Sequence, residues 1–378
     1  MEKSKKRSVI PLAWFFYLVI VFEILYMISP FALYYYSSYG PSLNFLNSSP
    51  LTSWLTQFIL PHYTTSSSAL INSMAGIGRK LFFAGLILFF YGAIQIYYSK
   101  FAKKGAVTKG LYRFIRHPQY TAFAITGLGL LLFWPRFIVL LMYMLMLIVY
   151  YLLARKEEQE CEDKYGESYI SYKKNTSMFL PVKIRFLNRL PKLPASLLKR
   201  RLYILLFCLI YLTVSVTIGM AVRDYTIDSI STCYDENYAA ISVLRLEREK
   251  IHDIVNVSKR ATGLKQMLKD AGITDNDRLI LYIVPIDWII PDLPMDPMMI
   301  SIKGHYEPAK DNQERFKVLF AKARLHDHKN VSGRDIIRKA FGLDPAAVVE
   351  MDIASGEILK VRKAPDHVLW GDIPTPIF

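Results

Sequence analysis

Four long apolar runs, at residues 11–36, 81–98, 120–153 and 202–222, constrain this chain more than any other feature. A helical crossing of a bilayer takes roughly 17–25 predominantly apolar residues. The run at 120–153 is too long for one crossing and breaks at Trp134-Pro135-Arg136, where proline disfavours helix continuation. It therefore reads as a tight helical hairpin, which brings the count to five. The first run follows the short basic stretch MEKSKKRS and exceeds the core of a cleavable signal peptide, so it reads as a retained span. The expected fold is a membrane all-α domain of about five transmembrane helices, residues 1–222, followed by a soluble α+β domain, residues 223–378.

Charge gives this arrangement a direction. The net charge of +15 comes entirely from the first part: residues 1–222 hold 25 Lys and Arg against 8 Asp and Glu, and the remainder holds 22 against 24. A uniformly basic chain would suggest nucleic acid. Here the cations lie between apolar segments, as cytoplasmic loops do, so nucleic acid is excluded as a partner. With the N-terminus in the cytoplasm, residues 1–10, 99–119 and 154–201 carry 4, 6 and 12 Lys and Arg, whereas the opposite side of the membrane half has Arg79, Lys80 and Arg136. The chain is expected in a bacterial inner membrane, with its C-terminal domain periplasmic or extracellular. Membrane lipids are its natural partners, and residues 223–378 are free to take a protein partner. Cys161, Cys208 and Cys233 are too scattered for a disulfide framework or zinc site, and no metal is expected.

Beyond the spans, residues 37–78 are polar, with a short apolar piece at Trp54–Leu60 that suggests an interfacial helix. In the C-terminal part, 236–270 reads as helix ending near Gly272, Arg278–Pro285 as a buried strand, and 312–341 as helix. Val348–Glu350 and Ile358–Arg362, on either side of Ala354-Ser355-Gly356, read as a hairpin. His326, Asp327 and His328 have no ligand or triad spacing and read as a solvated loop. Glu23, in the middle of the first span, reads as a carboxyl bonded to a neighbouring helix or lining a tunnel.

The stretch Gly110 to Pro181 concentrates the chemistry. Glu157 and Glu158 lie just past a nearly unbroken apolar run. If the helix continues, Glu158, Glu162, Tyr165, Tyr169 and Tyr172 share one face. Arg116, His117 and Tyr120, at the other end of the hairpin, lie at the same membrane level. S-adenosylmethionine needs such a mixture: a carboxylate for its ammonium, basic or phenolic donors for its carboxylate, and apolar or aromatic cover for its adenine. The same residues can also be interfacial anchors and a solvated first turn, a reading that spacing alone leaves open.

The order of motifs resembles the isoprenylcysteine carboxyl methyltransferase and phospholipid methyltransferase superfamily of integral membrane enzymes. The matched positions are Gly110, Tyr112, Arg116, His117, Pro118 and Tyr120 before the hairpin, then Glu157, Glu158, Tyr165, Gly166, Tyr169, Tyr172 and Pro181 after it. The resemblance implies an S-adenosylmethionine-dependent methyltransferase whose hydrophobic or lipidated acceptor enters laterally from the lipid. It implies that His117, Tyr120 and Glu158, with Tyr169 and Tyr172, bind the cofactor. Arg116, Glu157 and Arg155 are the catalytic candidates, the two arginines neutralising the cofactor carboxylate or orienting an anionic acceptor.

The chain departs from the family pattern at Ala122, where glycine is common, at Cys161 in place of leucine, and at Thr176-Ser177 before the exit. These departures put a prenylcysteine acceptor in doubt. Two other readings stay open: a membrane reductase of the sterol type, and a degenerate methyltransferase fold that anchors the far-side domain in a larger complex.

Overall fold

The computed structural model describes residue 25 and residues 40–102, 107–181, 196–290, 293–295, 314–327 and 331–365. Of the expected first span at 11–36, Glu23 and every residue except 25 lie outside them. After the short helix α1 (Gly40–Asn47), three described helices are long and apolar enough to cross a membrane: α2 (Ala69–Phe101), α4 (Phe137–Tyr165) and α6 (Leu197–Ser229). The shorter apolar helix α3 (Pro118–Phe133) joins α4 through Trp134-Pro135-Arg136, where the hairpin was expected to break. At about 1.5 Å per residue, the 33 residues of α2 extend some 50 Å, well beyond the roughly 30 Å hydrocarbon core. The chain is thus an integral membrane protein with a sheet-containing C-terminal region.

Contacts divide the chain into two compact units. The first includes Gly78–Leu131 and Leu141–Cys208. Its helices pack where side chains are small. A Cβ on Gly85 of α2 would come within 2.2 Å of the Thr126 hydroxyl of α3, and one on Gly129 within 2.5 Å of the Phe82 amide nitrogen. Close backbone approach over small residues is the usual way apolar helices associate in lipid, where burial supplies no driving force. Phe89, Tyr120, Phe123, Met146 and Tyr150 form the core beside this crossing.

The helix expected to run on from Glu158 to Tyr172 does not. It breaks at Gly166, whose φ of +57° is left-handed, and resumes as α5 (Glu167–Asn175). The periodicity of Glu158, Glu162, Tyr165, Tyr169 and Tyr172 is real in sequence but is folded back on itself.

The second unit includes Ser38–Ile77, Leu132–Leu140 and Leu209–Phe378. Its centre is a six-stranded sheet in chain order: β1 (Thr232–Tyr234), β2 (Tyr238–Ser242), β3 (Leu279–Pro285), β4 (Arg315–Arg324), β5 (Gly342–Asp352) and β6 (Glu357–Lys363). Strands β2 and β3 are parallel, joined through α7 (Arg248–Lys259) and α8 (Leu264–Asp270), and every other pair is antiparallel. Both faces are covered. One face sets Ile241, Tyr282, Leu319 and Val348 against Ile336 and Ile337 of α9 (Arg334–Lys339) and against Phe58. The other packs Leu281, Ile283, Phe316, Val318 and Val349 against Ile251, Ile254 and Leu264.

Two expectations here are corrected. Residues 236–270 open with strand β2 before α7 and α8, and the helix expected over 312–341 is strand β4 followed by the short α9. A strand buried on both faces loses polar alternation and reads as a continuous apolar run interrupted by lysines. In β4, Phe316, Val318 and Phe320 serve one core and Leu319, Ala321 and Ala323 the other. The strand at 278–285 and the hairpin around Ser355 stand as read. Trp54–Leu60 forms no interfacial helix: a 3-10 turn covers Ser53–Thr56, and Phe58 is wholly buried beside Trp134 and Arg136. Arg136, read as a loop cation, is 2% exposed; its guanidinium lies 4.1 Å from the Phe58 ring and donates to the Thr56 carbonyl.

Candidate functional site

Gly110 starts the site, with φ +64° in a 3-10 turn, Gly110–Arg113. That φ favours glycine, and a Cβ there would also displace the Gln95 side chain of α2, whose amide nitrogen would lie 1.7 Å away; the same Gln95 side chain accepts from the Leu111 amide at 3.2 Å. The turn buries Tyr112. Pro118 then opens α3, a position where its missing N–H costs nothing.

The residues ahead of Pro118 are held from the exit of the domain. The Arg116 amide donates to the Ser177 carbonyl (2.9 Å), the His117 amide to Met178 (3.1 Å), and the Thr121 hydroxyl to Phe179 (3.0 Å). Thr176-Ser177, a departure from the family pattern, thus forms the strap alongside Arg116 and His117.

Side chains converge on the last turns of α4. Arg116 Nε meets Glu158 Oε1 at 2.6 Å, and its Nη1 donates to the Lys173 carbonyl at 3.1 Å and to the Thr176 carbonyl. Lys173 Nζ meets Glu158 Oε2 at 2.9 Å and Glu162 Oε1 at 2.5 Å. Glu158 is therefore saturated and buried. Glu157 differs: its side chain is 48% exposed, it accepts from the Tyr120 hydroxyl, and it lies 3.4 Å from His117 Nδ1. His117 Nε2 lies 3.4 Å from Glu158, so the imidazole spans both carboxylates. Its ring stacks on Tyr120, which stacks on Tyr150.

These contacts set the protonation states. Burial by itself would lower the His117 pKa, but hydrogen bonds and charge from Glu157 and Glu158 outweigh it and raise the value above the ordinary 6.5. Burial likewise opposes the charge of Lys173, and Glu162 and Glu158 overcome it. Burial pushes the Tyr172 phenol up to about 12 and those of Tyr112 and Tyr169 higher still, so all three are neutral donors.

A cavity of about 560 Å³ opens beside this cluster, within the 300–1,000 Å³ typical of small-molecule sites. Of the catalytic and cofactor-binding residues expected from sequence, Arg116, His117, Tyr120, Glu157, Tyr169 and Tyr172 line it. Glu158 stands behind the wall, and Arg155 is exposed and not among the lining residues. Sequence reasoning missed Lys173, whose role depends on the Gly166 turn. It also gave no role to Tyr112, a motif position, or to Ser99, Lys100 and Gln119. Among the described residues the Tyr112 hydroxyl, buried on the cavity wall, has no hydrogen-bond partner, and a ligand would satisfy it.

Residues 69–168 match the model of the phospholipid methyltransferase family, part of the superfamily of integral membrane methyltransferases that the motifs of Gly110–Pro181 resemble. Among curated proteins and among solved structures, nothing matches the chain.

Proposed function

We propose, with the family match of residues 69–168 as premise, that this membrane protein transfers a methyl group from S-adenosylmethionine to a lipid, lipidated or otherwise hydrophobic acceptor at the cytoplasmic membrane face. The observation that carries the reading is the pairing of Glu157, the one glutamate of the pair turned to the cavity, with the unsatisfied Tyr112 hydroxyl on the same wall.

The residues present suit this cofactor. Glu157 offers a carboxylate to its ammonium, and nearby Lys100 and Lys164, with His117 in its imidazolium form, offer cations to its carboxylate. Tyr112, Tyr165, Tyr169 and Tyr172 give aromatic cover for the adenosine, and the Tyr112 hydroxyl gives it a neutral donor. When bound, the cofactor supplies an electrophilic methyl group on a sulfonium. What the protein contributes is position, because an in-line displacement gains most from holding the reacting atoms in register. Arg116 serves that end as a clamp: it ties the end of α5 and the strap at Thr176 to Glu158. Where the acceptor carries a proton, Glu157 is placed to take it.

Calorimetric titration of the purified chain with S-adenosylhomocysteine tests the reading. Micromolar binding that weakens about tenfold in Glu157→Gln and also weakens in Tyr112→Phe supports it. No binding by folded protein with lipid present moves the function to a membrane anchor for residues 223–378.

A further inference from the structure

Gln119 lines the cavity beside Glu157, although it stands between Pro118 and Tyr120 at a position the motif leaves open. It lies in the first turn of α3 and is 9% exposed. Its stem packs against α2, where a Cβ on Gly92 would come within 3.4 Å of Gln119 Cγ and 3.9 Å of Pro118 Cγ. The bare backbone at Gly92 thus seats the stem between the helices and leaves the carboxamide at the cavity wall. Among the described residues no group hydrogen-bonds that carboxamide. A polar side chain this buried is ordinarily paired, because an unpaired one is costly, so its partner has to come from the cavity.

A carboxamide carries donors and an acceptor side by side on one planar end, and among the described lining residues Gln119 alone offers this. Its complement is a neutral planar edge on which a donor also sits beside an acceptor. S-adenosylmethionine has one such edge, that of adenine, whose exocyclic amine adjoins a ring nitrogen. Glutamine meets the same edge with paired hydrogen bonds when proteins read nucleic-acid bases. The rest of the lining agrees with a base here: Ile96 of α2 and the Tyr112 ring supply apolar and aromatic cover, while Glu157 and the lysines suit the charged end of the cofactor.

We infer that Gln119 is the residue that selects adenine, accepting from the 6-amino group and donating to the neighbouring ring nitrogen. That role rests on the methyl-transfer reading above, since an adenine must occupy the cavity. A cofactor analogue without the amino group would strand the Gln119 carbonyl, and a site built to bond a group rejects the analogue that lacks it.

The test titrates the full chain, in detergent with lipid, with S-adenosylhomocysteine and with its 6-deamino analogue, in which purine replaces adenine. Wild type, Gln119→Met and Gln119→Glu are compared by calorimetry, after the apparent Tm has shown each to be folded. Wild type should prefer the amino ligand about tenfold. Gln119→Met, similar in length, should bind both ligands equally and at the weaker affinity. Gln119→Glu keeps an acceptor and should keep the preference. A residue that only supported the fold would weaken both ligands alike and leave their ratio at the wild-type value, a result that would overturn the assignment. Equal binding of the two ligands by wild type would overturn it too. So would undiminished S-adenosylhomocysteine affinity in Gln119→Met, which gives the residue to the acceptor. In these three cases wild type still binds S-adenosylhomocysteine and the methyl-transfer reading stands, whereas no binding by folded wild type sinks both.

Discussion

Arg116 and Glu158 form a buried ion pair, Nε to Oε1 at 2.6 Å, with side chains 9% and 2% exposed, across 42 residues of chain and a helical hairpin. Lys173 closes on the same carboxylate from α5. One glutamate thus joins the entry strap, the span and the following helix. Its neighbour Glu157 is left for the cavity.

Removing the buried member should unfold the site. Glu158→Gln leaves Arg116 and Lys173 without their anion and should cost about 3–5 kcal/mol. Chemical denaturation in detergent would show it, and ligand binding should fall together with stability.

Glu157→Gln should behave in the opposite way. The side chain is half-exposed, so its pairings contribute about 1 kcal/mol or less to stability. Denaturation should barely change, while S-adenosylhomocysteine affinity should drop about tenfold, roughly 1.4 kcal/mol. Equal losses of stability in the two glutamine variants would contradict the division of labour.

His117 sets a pH window. Its pKa in the fold lies above the ordinary 6.5 because Glu157 and Glu158 outweigh burial. The stability it contributes is therefore fully present below 6.5 and is lost as pH rises through the folded value. Ligand affinity that depends on the imidazolium should weaken over the same rise. Calorimetry at a series of pH values would reveal it, and His117→Gln should flatten the profile.

The crossing of α2 and α3 should reject side chains. In Gly85→Ala the new methyl would meet the Ala122 carbonyl at 2.7 Å, besides the Thr126 hydroxyl, so the helices must separate. Overpacking of this kind costs about 1–3 kcal/mol. Because Ser99 and Lys100 of α2 line the cavity, binding should weaken although neither helix face touches the ligand at Gly85. Gly76→Ala, where nothing among the described residues lies within 4 Å, is the control and should be silent.

The spans at α2, α4 and α6, the break at Pro135 and the motif residues around Arg116 and Glu157 were all legible in the sequence. Each rests on a local cause: apolar length, proline's missing donor, or a motif read in order. What sequence could not apportion was the work of two adjacent glutamates, since Glu157 and Glu158 differ only in what surrounds them. That difference required the left-handed turn at Gly166, which brings Lys173 back onto Glu158. Strand β4 was hidden for a related reason. Its two-sided burial is a property of the sheet and of the helices covering it, and a strand wrapped on both faces has no polar face to declare its period. Local chemistry fixed the apolar spans and the motif between them, and only tertiary contact, acting between residues far apart in sequence, decided that 315–324 is a strand, which charges were spent on structure and which were left to bind.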